Sequence, residues 1–188
     1  MTPVSTPPPA ASGIPGVPAI GETVLSEQQI GDLITGMAKQ ISDDYRGREV
    51  VLVGVLKGAV MVMADLSRAL DIHATIEFMA VSSYGSSTNS SGVVRILKDL
   101  DRDIAGKDVL VVEDVVDSGR TLSWLLRNLR ARQPASLEVC ALLRKPEGKR
   151  CGIAVKYVGA DLDDSFVVGY GLDVAEHYRN LPYLAKLL

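Results

Sequence analysis

Residues 108–123, DVLVVEDVVDSGRTLS, carry an apolar run that ends in two acids and opens into a short stretch of hydroxyl and glycine residues. Val109 to Val112 read as a strand buried on both faces, as a parallel sheet requires, and Leu122, Leu125, Leu126 and Leu129 mark a helix from Gly119 to about Arg132. In open α/β sheets, ligands bind at the carboxyl ends of such strands. A helix beginning there turns unpaired backbone N–H groups and the positive end of its dipole toward an anion. Asp117-Ser118-Gly119-Arg120-Thr121 adds two hydroxyls and a glycine whose missing Cβ permits close approach, so the expected ligand is a phosphate. Glu113 and Asp114 would repel that phosphate. Acidic oxygens favour sugar hydroxyls and hard cations such as Mg²⁺, and a phosphorylated ribose with Mg²⁺ satisfies both halves of the segment.

A second strand end repeats the pattern in Gly54-Val55-Leu56-Lys57-Gly58-Ala59. Lys57 is its sole cation and Gly58 lets backbone amides crowd a ligand, which suits pyrophosphate oxygens. Residues 82–95, SSYGSSTNSSGVVR, hold too many Ser, Gly and Asn for a core element; a loop of that length is usually disordered or a functional lid. Near the other end lie Lys145 and the run Phe166-Val167-Val168-Gly169-Tyr170-Gly171-Leu172-Asp173. Lysine offers only donors, so Lys145 suits an acceptor such as a carbonyl oxygen.

VVEDVVDSGRTL, residues 111–122, resembles the phosphoribosyl pyrophosphate signature of the type I phosphoribosyltransferases, in the form carried by their 6-oxopurine branch. The Thr-Gly-Gly and Ala-Thr-Gly forms usual in orotate and adenine relatives are not at this point. The resemblance covers the chain from about Ser26 onward. It implies an α/β type I phosphoribosyltransferase fold, a mostly parallel sheet flanked by helices, with a small hood subdomain formed by the N-terminal and C-terminal segments. The activity it implies is transfer of a 5-phosphoribosyl group from phosphoribosyl pyrophosphate to N9 of hypoxanthine or guanine, giving IMP or GMP and pyrophosphate.

On the same resemblance, Glu113, Asp114, Asp117, Ser118, Gly119, Arg120 and Thr121 would hold the ribose and its phosphate. Leu56, Lys57 and Gly58 would form the pyrophosphate loop, often with a cis Leu56–Lys57 peptide, and Arg179 would join them. Ser83 and Tyr84 would belong to a catalytic loop that closes over the site. Lys145, Phe166, Val167 and Asp173 would meet the purine, Phe166 by stacking on its face and Val167 and Asp173 through backbone groups at its edge. Glu113, Asp114 and Asp173 would serve Mg²⁺, and Asp117 would accept or hold a proton at purine N7. Relatives assemble as homodimers or homotetramers.

Composition fits this picture. The 188 residues are 47% hydrophobic and 23% charged, enough for one sizeable core. Residues 1–21, rich in Pro and small residues, read as a disordered tail, leaving residues 22–188 as a single domain with order beginning at Ser26. A net charge of −3 argues against broad nucleic-acid binding, and no apolar run reaches the roughly 20 residues that span a bilayer, so no membrane partner is expected. Two cysteines, Cys140 and Cys151, and no signal-peptide pattern point to the cytoplasm. His73 and His177 are too isolated for a metal site, and Trp124 should pack on the sheet or on a partner subunit.

Helices are expected over Glu27 to Tyr45 and Gly58 to Leu70, and strands over Glu49 to Val55, Ala74 to Val81, Ile96 to Lys98, Leu137 to Leu143 and Phe166 to Val168. Two other functions compete. A nucleic-acid regulator on the same fold is disfavoured by the acidic balance and by the lack of room for a DNA-binding domain. A xanthine-preferring relative would differ only in contacts at the purine 2-position, which the residues do not rank.

Overall fold

The computed structural model describes residues 16–83 and 94–188. In chain order these form β1 (Ile20–Leu25), α1 (Glu27–Asp44), β2 (Val50–Leu56), α2 (Val60–Ala69), β3 (Ala74–Ser83), β4 (Val94–Lys98), β5 (Asp108–Val116), α3 (Arg120–Arg130), β6 (Ser136–Arg144), α4 (Pro146–Arg150), β7 (Tyr157–Asp161), β8 (Val167–Val168) and β9 (Leu184–Leu187). Six strands make the main sheet in the order β4-β3-β2-β5-β6-β7. Every neighbouring pair is parallel except β3 and β4, which are antiparallel.

The apolar strands are continuous because both faces of the sheet are covered. Val50, Leu52, Leu110, Val112, Cys140 and Leu142 pack with Ile30, Ile34, Met37 and Ile41 of α1 and Met63 and Leu66 of α2. Their odd-numbered neighbours Val51, Val53, Val109, Val111, Val139 and Ala141 pack with Leu122, Leu125, Leu126 and Leu129 of α3. Alternate side chains of one strand therefore feed two cores, and burying each Val or Leu contributes about 1.5–3 kcal/mol. Trp124 packs, partly buried, on the α3 side. Burial pushes the Cys140 thiol up to about 12, so it behaves as a small hydrophobe.

α1 begins with a capping box: Ser26 Oγ accepts from the Gln29 N–H at 3.3 Å while Gln29 Oε1 accepts from the Ser26 N–H at 2.8 Å. Order does not begin at this cap. β1 starts at Ile20, so Ile20 and Gly21, assigned to the tail by their composition, lie in a strand. β9 is antiparallel to both β1 and β8, and these three form a separate small sheet. The partner of β1 is remote in sequence, so no local pattern announces it.

The expected loop over 82–95 is shorter at both ends, because β3 runs to Ser83 and β4 begins at Val94. Residues 84–93 lie outside the described residues. β5 likewise runs past Val112 to Val116, which puts Glu113 and Asp114 within the strand rather than at its end. Ladder pairing to β6 continues through Glu113, Val115 and Val116 and holds them extended. Among the described residues no helix is long and apolar enough to cross a membrane.

Leu110 is fully buried between α1, α2 and the sheet. Leu110→Ala should lower unfolding free energy by about 2–5 kcal/mol in a urea titration, with an unchanged slope.

Candidate active site

β2 leads to β3 on one side of the main sheet, and β5 leads to β6 and β7 on the other, so the strand order reverses between β2 and β5. Segments leaving the carboxyl ends of these two strands part there and leave a crevice. The β2–α2 connection brings Lys57 and Gly58 to it, and the β5–α3 connection brings Asp117, Ser118 and Gly119. Lys145 follows β6 on the same edge.

Gly119 is the N-cap of α3, with φ +69°. A Cβ there would stand 2.6 Å from Cys151 Sγ, so only glycine allows the loop to lie this close to the residues after α4. Arg120 and Thr121 are the first residues of the helix, and Ser118 precedes its cap. No side chain caps this N-terminus, so its first N–H groups are available to an anion.

Behind the loop, burial lifts the Glu113 carboxyl well above the usual range, and the charge of Asp114 adds to the shift. Asp114 is raised too, chiefly by burial, while the Val115 N–H and the charge of Arg179 pull the other way. Its Oδ1 accepts from the Val115 N–H at 2.8 Å. Its Oδ2 lies against Gly58, where any Cβ would collide with it, and a Cβ on Gly171, at φ +98°, would collide with the Gly58 carbonyl. Three segments are thereby locked together.

The Leu56–Lys57 peptide is cis. Lys57 Nζ lies 2.9 Å from Glu176 Oε2, and the same oxygen is 3.5 Å from Arg179 Nε. Lys57 and Arg179 hold the Glu176 carboxyl below its ordinary range. Arg179 also donates to the Gly171 carbonyl at 2.7 Å and pairs with Asp173 Oδ1 at 2.9 Å. The fold thus brings Lys57 to Asp173 and Arg179 from a distant stretch of chain. Glu176, which links two of them, carries no signal in the sequence; Ala175-Glu176 lacks the Asn-Gly signature of a tight turn.

Lys145 is almost buried, and its Nζ stands 3.6 Å from Asp117 Oδ2 and 6.0 Å from the centre of the Phe166 ring. Its backbone N–H donates to Val116 O at 3.0 Å, tying it to the end of β5. On either side of it, Arg144 and Lys149 both reach Asp161, each at 2.9 Å, and pull that carboxyl down to about 2. Lys145 alone of the three faces Asp117. Phe166 is 55% exposed, an unusual position for a large apolar ring with a cation at its side. Val167 next to it is buried in β8 and paired with β9. Ser83 closes β3 opposite Val94, and Tyr84 lies outside the described residues.

Among the described residues no three His, Cys, Asp or Glu side chains converge as a closed metal cage. Asp114 and Asp173 are close enough for the charge of one to raise the other. Two oxygen donors with surplus negative charge fit a hard cation that takes its remaining ligands from substrate phosphates and water.

A family model described as phosphoribosyl transferase domain matches residues 21–175. A hypoxanthine-guanine phosphoribosyltransferase of Mycobacterium avium is 56% identical over 174 residues, 89% of this chain and 86% of that protein. A hypoxanthine phosphoribosyltransferase of Escherichia coli strain K12 is 46% identical over 169 residues, 89% of this chain and 95% of that protein. The crystal structure of a hypoxanthine phosphoribosyltransferase from Staphylococcus aureus superimposes with a TM-score of 0.86 at 45% identity, over 90% of this chain and 92% of that one. With the crevice, the β5–α3 connection and these likenesses in agreement, the chain belongs to the phosphoribosyl transferase domain family.

Proposed function

We propose that this chain is a purine salvage enzyme that transfers the 5-phosphoribosyl group of phosphoribosyl pyrophosphate to N9 of hypoxanthine or guanine, releasing pyrophosphate and IMP or GMP. One observation carries the reading: an exposed aromatic face, Phe166, stands beside a donor-only side chain, Lys145, which itself lies next to Asp117 of the phosphate loop. A purine stacked on Phe166 would present its 6-oxo group to Lys145 and its imidazole edge to Asp117. An amine at that position would face a cation and find no acceptor, which disfavours adenine.

The reaction forms the N9–C1 bond and breaks the bond from C1 to the pyrophosphate oxygen. Asp117 would accept the proton from N7 as N9 attacks, which makes the ring electron-rich and leaves no positive charge on the purine. The Ser118-Gly119-Arg120-Thr121 start of α3 would anchor the 5-phosphate, and Glu113 and Asp114 would hold the ribose hydroxyls and offset positive charge on the sugar. Lys57, with the backbone of Leu56 and Gly58, and Arg179 would receive the departing pyrophosphate. Bound Mg²⁺ would neutralise charge on that leaving group, with Glu113, Asp114 and Asp173 as its proposed protein oxygens.

Asp117 is 60% exposed. Ser83 and Tyr84 are assigned to a loop that covers the crevice and keeps water from the cationic sugar. A small hood of N-terminal and C-terminal segments over the crevice, assembly as a homodimer or homotetramer, and a cytoplasmic location complete the proposal.

Nucleotide formation followed by ultraviolet absorbance, with Mg²⁺, phosphoribosyl pyrophosphate and each of hypoxanthine, guanine, xanthine and adenine, should show rapid turnover of the first two alone. Tight sugar-phosphate binding without turnover of any base would instead mark a regulator. Asp117→Asn should lower kcat by about 10²–10⁴-fold with little change in phosphoribosyl pyrophosphate binding. Unchanged turnover would remove Asp117 from the proton-holding role. Lys145→Gln, which adds an acceptor, should raise adenine turnover by about tenfold or more. Strict rejection of adenine by that variant would place selectivity elsewhere.

A further inference from the structure

The chain after Asp173 makes a turn that its residues do not favour. The Val174 N–H donates to His177 O at 3.2 Å and the His177 N–H to Val174 O at 3.0 Å. Between them Ala175 and Glu176 sit at φ +49° and +67°. A two-residue hairpin turn with both central residues left-handed is ordinarily made by Asn-Gly or Asp-Gly, because a Cβ crowds the neighbouring carbonyl in that conformation. Backbone held against residue preference is most often found where the side chain has a task.

At position 176 that side chain is a carboxylate, and one of its oxygens bridges two cations from distant parts of the chain, Lys57 Nζ at 2.9 Å and Arg179 Nε at 3.5 Å. It is not needed to hold Arg179 in place. Asp173 Oδ1 pairs with Arg179 Nη2 at 2.9 Å, and the Gly171 carbonyl accepts from Nη1 at 2.7 Å. The turn itself is fixed through the backbone, by the Glu176 N–H donating to Asp173 Oδ2 at 2.7 Å. The Glu176 carboxylate is therefore redundant for holding Arg179 and the turn, and it sits where the two cations converge.

We propose that Glu176 is a built-in counter-ion of the pyrophosphate site: its carboxylate oxygen occupies, between Lys57 and Arg179, the place taken by an oxygen of incoming diphosphate, which displaces it. The inference rests on the reading of Lys57 and Arg179 as pyrophosphate ligands. Lys57 and Glu176 are both more than half exposed, so the pair is weak and easily opened. With the site empty, the carboxylate relieves repulsion between two like charges. With the site full, it competes for them and limits how tightly the leaving group is held. Release of pyrophosphate is thereby eased at some expense in substrate affinity.

Calorimetric titration of inorganic pyrophosphate with Mg²⁺ into the wild-type protein, Glu176→Gln and Glu176→Asn tests this. The glutamine keeps the size of the side chain without its charge. The asparagine suits left-handed backbone and serves if the glutamine variant folds poorly. Both should bind pyrophosphate about two- to fivefold more tightly, the factor that corresponds to loss of one exposed ion pair. KM for phosphoribosyl pyrophosphate should fall in step, with no rise in kcat. Equal or weaker binding by variants of a wild-type protein that does bind pyrophosphate overturns the counter-ion inference alone. A wild-type protein that binds none overturns the reading of the site and this inference with it.

Discussion

At one point on the carboxyl edge of the sheet, three stretches of chain press together so closely that no Cβ fits between them. Gly58 lies against the Asp114 carboxylate, and Gly171 lies against the Gly58 carbonyl. The first glycine belongs to the connection after β2, the acid to β5 itself, and the second glycine to the stretch between β8 and β9. Each stretch carries a different recognition task in the proposed reaction: pyrophosphate, ribose, and the edge of the base with its metal. A displacement of any one is transmitted to the others through direct contact, with no Cβ between them to give way. For a transfer between two bound molecules, the relative position of the pieces is itself a large part of the rate advantage, and here it depends on two glycines in direct contact, one with a carboxylate and one with a backbone carbonyl.

Much of this edge could be read from residues alone because it is local. The β5–α3 connection, the Lys57-Gly58 loop and the Lys145 position each follow an apolar strand in a few residues, so strand, loop and helix announce one another. The start of α1 after Ser26 and the leucines of α3 are legible for the same reason. What escaped depends on remote partners. β1 has a short, mixed sequence and becomes a strand only through β9. The extension of β5 past Val112 carries two acids that no burial pattern would place in a strand; it is held extended by the ladder to β6. Glu176 escaped because its turn violates the residue preference that would have revealed it.

Charge is arranged in two layers. Glu113 and Asp114 are half-buried, and that burial raises both, whereas the groups in front of them, such as Lys57 and Glu176, stand largely in solvent. A half-buried acid interacts more strongly with an approaching positive charge than an exposed one does, while an exposed pair can exchange partners at little cost. In the proposed reaction the more buried layer would lie under the sugar, where charge develops, and the exchangeable layer under the group that must leave. Phe166 follows the same logic in apolar form, since its exposed ring is the surface on which the proposed purine would stack.

The small sheet has a consequence for how the molecule comes to be folded. The Phe166 carbonyl accepts from the Leu187 N–H at 3.0 Å, and β9, which contains Leu187, is paired in turn with β1 near the other end of the described chain. Contacts of such long sequence separation carry the full entropic cost of closing the intervening chain and form after the nearer ones. The main sheet, with its short strand-to-helix links, and the β8–β9 ladder next to Phe166 can form first. The β1 ladder closes last, when the two ends of the described chain are stitched together, so the segment proposed to receive the base lies against β9 before β1 secures β9 from its other side.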